Sequence, residues 1–240
     1  MMRRDPQAVV TMLQATIESG ERVERQSALS ALGKLPLPAA DALLTSFLDQ
    51  LLAGRWLADV ELELLTAASQ RDNELVSARL EKFNMARNKE DPLSAYRECL
   101  AGGDAARGEQ IFRERTEVAC LRCHRTAPGE QSVGPNLSGI AREKSRRDML
   151  QAMVDPNRDI TQGFDSTVLL LEDGSVKTGI VKLEDDDNLH LMDAEGKTFI
   201  VVKEDIEERR RGKSAMPDDI LKFLSKDDLR DLVEFLSQQK

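Results

Sequence analysis

Two periodicities divide the chain. Over the first hundred residues apolar positions recur at helical spacing, and Ala and Leu are abundant. The spacing predicts helices over 6–19, 21–32, 39–53, 57–69, 72–88 and 92–100, with no strand signal between them. From Asp165 the period changes to that of strands. Runs at 166–171, 176–181, 189–191 and 198–202, with a last short one at 206–209, read as five strands. Asp173-Gly174 between apolar runs is a hairpin signal, and Asp185–Asn188 and Asp193–Gly196 supply further turns. Helical pattern flanks the strands. Gly108–Phe112 opens a short helix, Met149, Leu150 and Met153 share another as core residues, and Leu232–Leu236 lies on a last amphipathic one.

The resulting expectation is a multidomain α+β protein, mainly α. Residues 1–100 form a helical domain. Segments 103–164 and 211–240 form a second domain, interrupted at 165–210 by a small β-barrel of the SH3 or Sm-like kind. In the helical domain, Arg25–Leu32 resembles the second helix of a HEAT-type repeat. A similar helix recurs around 60–68, close to the period of helical-hairpin repeats. The expected role of such repeats is to bind partners or space domains. Glu61 and Glu63 read there as exposed-face charges.

The chemistry sits between the two patterns. Cys120-Leu121-Arg122-Cys123-His124 is a C-x-x-C-H motif. Two thiols at this spacing can both add to the vinyl groups of one haem, and the following His can ligate its iron. A zinc site would need a fourth ligand and usually a second C-x-x-C pair. Cys99 and His190 are the remaining Cys and His of the chain. One covalently attached haem c is therefore the expected cofactor, anchored by Cys120 and Cys123 with His124 as iron ligand.

Gly108 and Phe112 upstream, Gly134-Pro135-Asn136-Leu137 downstream, and Ser214-Ala215-Met216-Pro217 before the last helix resemble the small monohaem cytochromes c. The resemblance implies that first and last helices cross, with Gly108 and Phe112 against Leu232 and Phe235. It implies that the Pro135 carbonyl receives the ring of His124, and that Met216 is the distal ligand. The rival for that place, His190, reads as a solvent-facing strand residue. Met216 lies about ninety residues beyond His124, about twice the family's usual separation, and removing the strand region restores the ordinary spacing. With the insertion included, residues from about 103 onward resemble the haem-binding domain at the C-terminus of large planctomycete and verrucomicrobial proteins. Val154-Asp155-Pro156 and Leu171-Glu172-Asp173-Gly174 belong to this match. The resemblance implies electron transfer from, or within, a larger oxidoreductase such as a fused dehydrogenase.

The formal net charge of −9 argues against nucleic-acid binding, an idea the Sm-like strands would otherwise invite. No stretch approaches a membrane span, and no signal peptide is visible. Haem c is attached outside the cytoplasm in bacteria, so the expectation is a periplasmic or otherwise exported protein, read as part of a longer chain. It is expected to serve a redox partner without activity of its own. The alternatives are a haem sensor or peroxidase-like protein with an exchangeable distal site, and a partner-docking module. Arg209-Arg210-Arg211 reads either as a solvated loop or as a partner for haem propionates or another protein's acidic patch. Cys99 is expected to be buried and inert, with an intermolecular disulfide as the alternative.

Overall fold

Apolar residues at helical spacing become α-helices in the first unit of the chain, which ends at Gly103. The computed structural model describes residues 6–129 and 132–240, so residues 1–5 of the expected helical domain lie outside the described residues. The helices are α1 (Pro6–Ser19), α2 (Arg22–Gly33), α3 (Pro38–Leu52), α4 (Glu61–Ser69) and α5 (Glu74–Met85). A capping box between Glu21 and Glu24 starts α2, and Pro38 pre-sets the first turn of α3. Asn73 caps α5 by accepting from Leu75 N and Val76 N, so this helix begins two residues later than its pattern suggested. α1 lies on α2, α2 on α4, and α3 on α5. Leu29, Leu32, Leu44, Leu48 and Leu64 are fully buried between them.

Two expectations in this unit change. Residues Pro92–Leu100 wind as a 3-10 helix, whose three-residue period puts Leu93, Tyr96 and Cys99 on one face. Leu93 and Cys99 are buried there. Glu61 is not an exposed-face charge. Its carboxylate is largely covered and lies 3.1 Å from Arg97 Nε. Burial pushes its pKa up against the pull of that guanidinium.

The second unit starts at Asp104. Asp104 caps α6 (Ala105–Glu114) through Ala106 N and Arg107 N. α7 (Cys120–Cys123) and α8 (Ile140–Glu143) are single turns, followed by α9 (Arg146–Val154), which a Ser145–Asp148 capping box opens. The strands β1 (Asp165–Leu171), β2 (Val176–Glu184), β3 (Asn188–Met192), β4 (Thr198–Val202) and β5 (Ile206–Ser214) precede α10 (Lys226–Leu236). α10 begins at a second capping box, Ser225–Asp228.

α6 and α10 cross at a glycine. A Cβ on Gly108 would fall 2.0 Å from Asp231 O and 2.8 Å from Phe235 Cβ. Phe112 packs on Phe235 with ring centroids 5.5 Å apart. Two ion pairs flank the crossing, Arg115 with Asp228 at 2.8 Å and Arg107 with the buried Asp231 at 3.4 Å. Asp231 Oδ1 also accepts from Asp104 N at 2.8 Å.

The strands form one antiparallel sheet in the order β4-β3-β2-β1-β5. It has two edges, β4 and β5, rather than a closed ring of ladders. Leu169, Leu189, Leu191 and Val201 make its own small core. β5 runs to Ser214, beyond the expected limit at 210, because its backbone stays paired with β1 through the arginine run. That run lacks strand-like apolar alternation, which is why the sequence pattern ended early. It is not a loop. Arg209 meets Glu184 at 2.9 Å, Arg211 meets Asp165 at 3.4 Å, and Arg210 pairs with Glu208.

Candidate cofactor site

The sequence Cys120–Cys123 closes one helical turn, with His124 N donating to Cys120 O at 2.9 Å. Ala119 precedes it in the left-handed region (φ 44°), a strained conformation for a residue with a Cβ. This sharp entry follows directly on the C-terminal side of α6, so the thiols are delivered beside the α6–α10 crossing. The segment 132–138 then folds back on the motif. Gly134 N donates to Cys123 O at 2.7 Å, Leu137 N to Arg125 O at 2.7 Å, and Asn136 Nδ2 to Ala127 O at 2.7 Å. A Cβ on Gly134 would lie 2.8 Å from His124 Cε1, so the backbone there touches the imidazole edge.

His124 is oriented by this return. Its Nδ1 lies 2.9 Å from Pro135 O. A carbonyl only accepts, so Nδ1 carries the hydrogen. Burial lowers the pKa of the ring, outweighing the stabilising bond to Pro135, and the nearby Arg125 lowers it further. The imidazole is therefore neutral near pH 7, and its Nε2 lone pair is available for coordination. Burial acts on the thiols in the opposite chemical sense. Cys120 is pushed up to about 11, and Cys123 is raised as well. Both are protonated at neutral pH, and no disulfide joins them.

Cys120, Cys123, His124, Pro135 and Met216 all border one cavity of about 220 Å³. Its walls are mainly apolar, with Met149, Met153, Leu224 and Leu232 among them. Met149 and Met153, expected as core, are buried and face this space. The sheet contributes Ile180, and Phe164 lines the cavity just before β1. His190 is elsewhere. It stands on β3 with its Nε2 3.0 Å from Asp185 Oδ2 and is not part of the cavity wall. Met216 is held by two successive bonds: its N donates to Ser214 Oγ at 3.1 Å, and Ser214 N donates to Asn157 Oδ1 at 2.9 Å.

Sequence reasoning alone did not find the roles of Gly134, Asn157, Ser214 or Ile180. Gly134 and Ser214 stand within motifs that could be read, but their contacts depend on chain return. Asn157 and Ile180 carry no local signal. Among the described residues, no three His, Cys, Asp or Glu side chains are arranged to hold a metal ion between them. The chain matches no protein-family model and no curated protein sequence. Among the described residues, no helix is long and apolar enough to cross a membrane.

Proposed function

We propose that the second unit is a c-type cytochrome domain that carries electrons. The observation that carries this reading is the neutral imidazole of His124, fixed through Nδ1 to Pro135 O, beside two thiols on a shared apolar cavity. The donor set fits a covalently held haem. Cys120 and Cys123 would anchor it, His124 would ligate the iron, and Met216 would be the second axial ligand. Bound there, haem would supply a one-electron Fe(III)/Fe(II) couple. The chain's own part is to orient His124, exclude water with apolar walls, and present a weak thioether donor that favours the reduced state. Thiol–disulfide exchange is less well supported, because the attacking species is a thiolate and burial keeps both thiols protonated.

The first unit reads as HEAT-like helical hairpins that space or dock the electron-transfer domain. The inserted strands read as an SH3 or Sm-like unit. The protein serves a redox partner or a fused dehydrogenase, outside the cytoplasm where haem c is attached. The test is a reduced-minus-oxidised absorption spectrum of protein exported with haem-c maturation. A reversible c-type spectrum that is lost in the Cys120→Ala, Cys123→Ala double variant supports the reading. Matured protein without such a spectrum overturns it.

A further inference from the structure

The charged side chains on the cavity wall are Lys144, Asp148, Asp155 and Asp159. With Gln151 and Thr161, they gather the charged and amide groups of the wall on one stretch, α9 and its flanks. Two of the aspartates already have partners: Asp148 accepts from Ser145, and Asp159 lies 3.4 Å from Lys144 Nζ. Gln151 differs from its neighbours. Arg158 Nη1 donates to its Oε1 at 3.1 Å. Because a guanidinium can only donate, this contact fixes which end of the amide is oxygen. The other end, Nε2, is buried and has no hydrogen-bond partner among the described residues. A buried donor left unmade is unfavourable, so its place on a cavity wall calls for an acceptor within the cavity.

We infer that Gln151 is a ligand-binding residue whose Nε2 donates to a carboxylate of the bound group, with Arg158 as the residue that positions it. The inference rests on the haem reading above. Haem leaves little choice of acceptor: its pyrrole nitrogens hold iron, its vinyl groups go to Cys120 and Cys123, and its propionates are the peripheral groups that accept hydrogen bonds. The polar stretch 144–161 then faces the propionate edge, while the apolar walls face the ring. Gln151 is neutral, so it can stabilise a propionate anion without a buried counter-charge. Lys144 is the cation of the same wall.

The experiment measures midpoint potential against pH for the haem-loaded wild type and for Gln151→Met and Gln151→Glu. A donor to the propionate favours its ionised form. Removing that donor in Gln151→Met should move the propionate-linked bend of the curve upward by about one pH unit. Gln151→Glu, which replaces a donor with a carboxyl group, should move it at least as far. Melting of the apoproteins separates binding from folding: Gln151→Met apoprotein should melt close to wild-type apoprotein, since removing an unmet buried donor offsets the loss of the exposed Arg158 contact. Haem-loaded variants whose curves superimpose on the wild type overturn the Gln151 contact alone. So does an equal loss of melting temperature in apo and loaded Gln151→Met. A wild-type chain that takes up no haem after export and maturation overturns the reading beneath it.

Discussion

Asp165 and Ser214 are register partners, the first residue of β1 opposite the last of β5. The sheet therefore leaves and rejoins the helical part of its unit at one place, as an insertion must if the host fold is to tolerate it. Met216 follows two residues after that junction, and its amide is bonded to the Ser214 hydroxyl. The sheet and the proposed distal ligand are thus mechanically joined.

This junction makes Asn157 a positioning residue. Its Oδ1 accepts from Ser214 N at 2.9 Å. Asn157→Ala removes one hydrogen bond and should leave covalent haem content unchanged. Cyanide should bind the oxidised protein faster, by up to about tenfold, because the segment carrying Met216 opens more often. Asn157→Asp, which keeps an acceptor oxygen, should restore the slow rate. Stopped-flow cyanide binding checks both. Equal rates in all three proteins would remove Asn157 from the account.

The apoprotein should lose stability on both sides of neutrality. His124 has a folded pKa below its ordinary value near 6.5, so the unfolded chain binds the extra proton as pH falls. Its contribution is full above about 6.5 and is lost progressively below it. Cys120 is raised from 9.0 to about 11, so the unfolded chain releases its proton first as pH rises. That contribution is full below about 9 and is lost between about 9 and 11. Urea titrations across pH check this, and His124→Gln should flatten the acid limb while Cys120→Ala flattens the alkaline one.

Gly108→Ala tests the helix crossing. A methyl group there meets the Asp231 carbonyl, which is backbone and cannot rotate away. The helices must separate, at an expected loss of about 1–3 kcal/mol. Denaturant unfolding measures it, and an unchanged unfolding midpoint would show that the crossing accepts a methyl group.

In the first unit, Glu98 is buried and bonded to Arg87 by two contacts, at 2.9 and 3.0 Å. Arg87 also lies 4.7 Å above the Phe83 ring, as does Arg97. Arg87→Ala strips a buried carboxylate of its bidentate partner and should destabilise the protein by about 3–5 kcal/mol. The double variant Arg87→Met, Glu98→Leu should recover most of that loss. Thermal unfolding followed by helical circular dichroism reads both.

What the sequence discloses follows the range of each signal. Helix positions in the first hundred residues were legible because burial repeats within each helix. The site was legible where rare residues stand close in the chain: Cys120, Cys123 and His124 in one motif, and Pro135 and Met216 through family-like neighbours. Gly108 and Phe112 were readable through the same resemblance, which implies a close helix crossing with a glycine at the contact and an aromatic beside it. Contacts made by distant return were not readable. Glu61 looks like any surface acid until Arg97 covers it. Arg209–Arg211 look like a loop until Glu184, Glu208 and Asp165 pair with them on β5. Gln151 shows nothing in sequence, since its meaning lies in one amide nitrogen on a cavity wall.

The most direct test of the central claim is the intact mass of the exported, matured chain under denaturing conditions, after acid–acetone extraction. The account predicts a single species heavier than the polypeptide by one haem, and only the polypeptide mass when Cys120 and Cys123 are both replaced by Ala. A matured wild-type chain that shows the bare polypeptide mass, with any haem left in the extract, would contradict it.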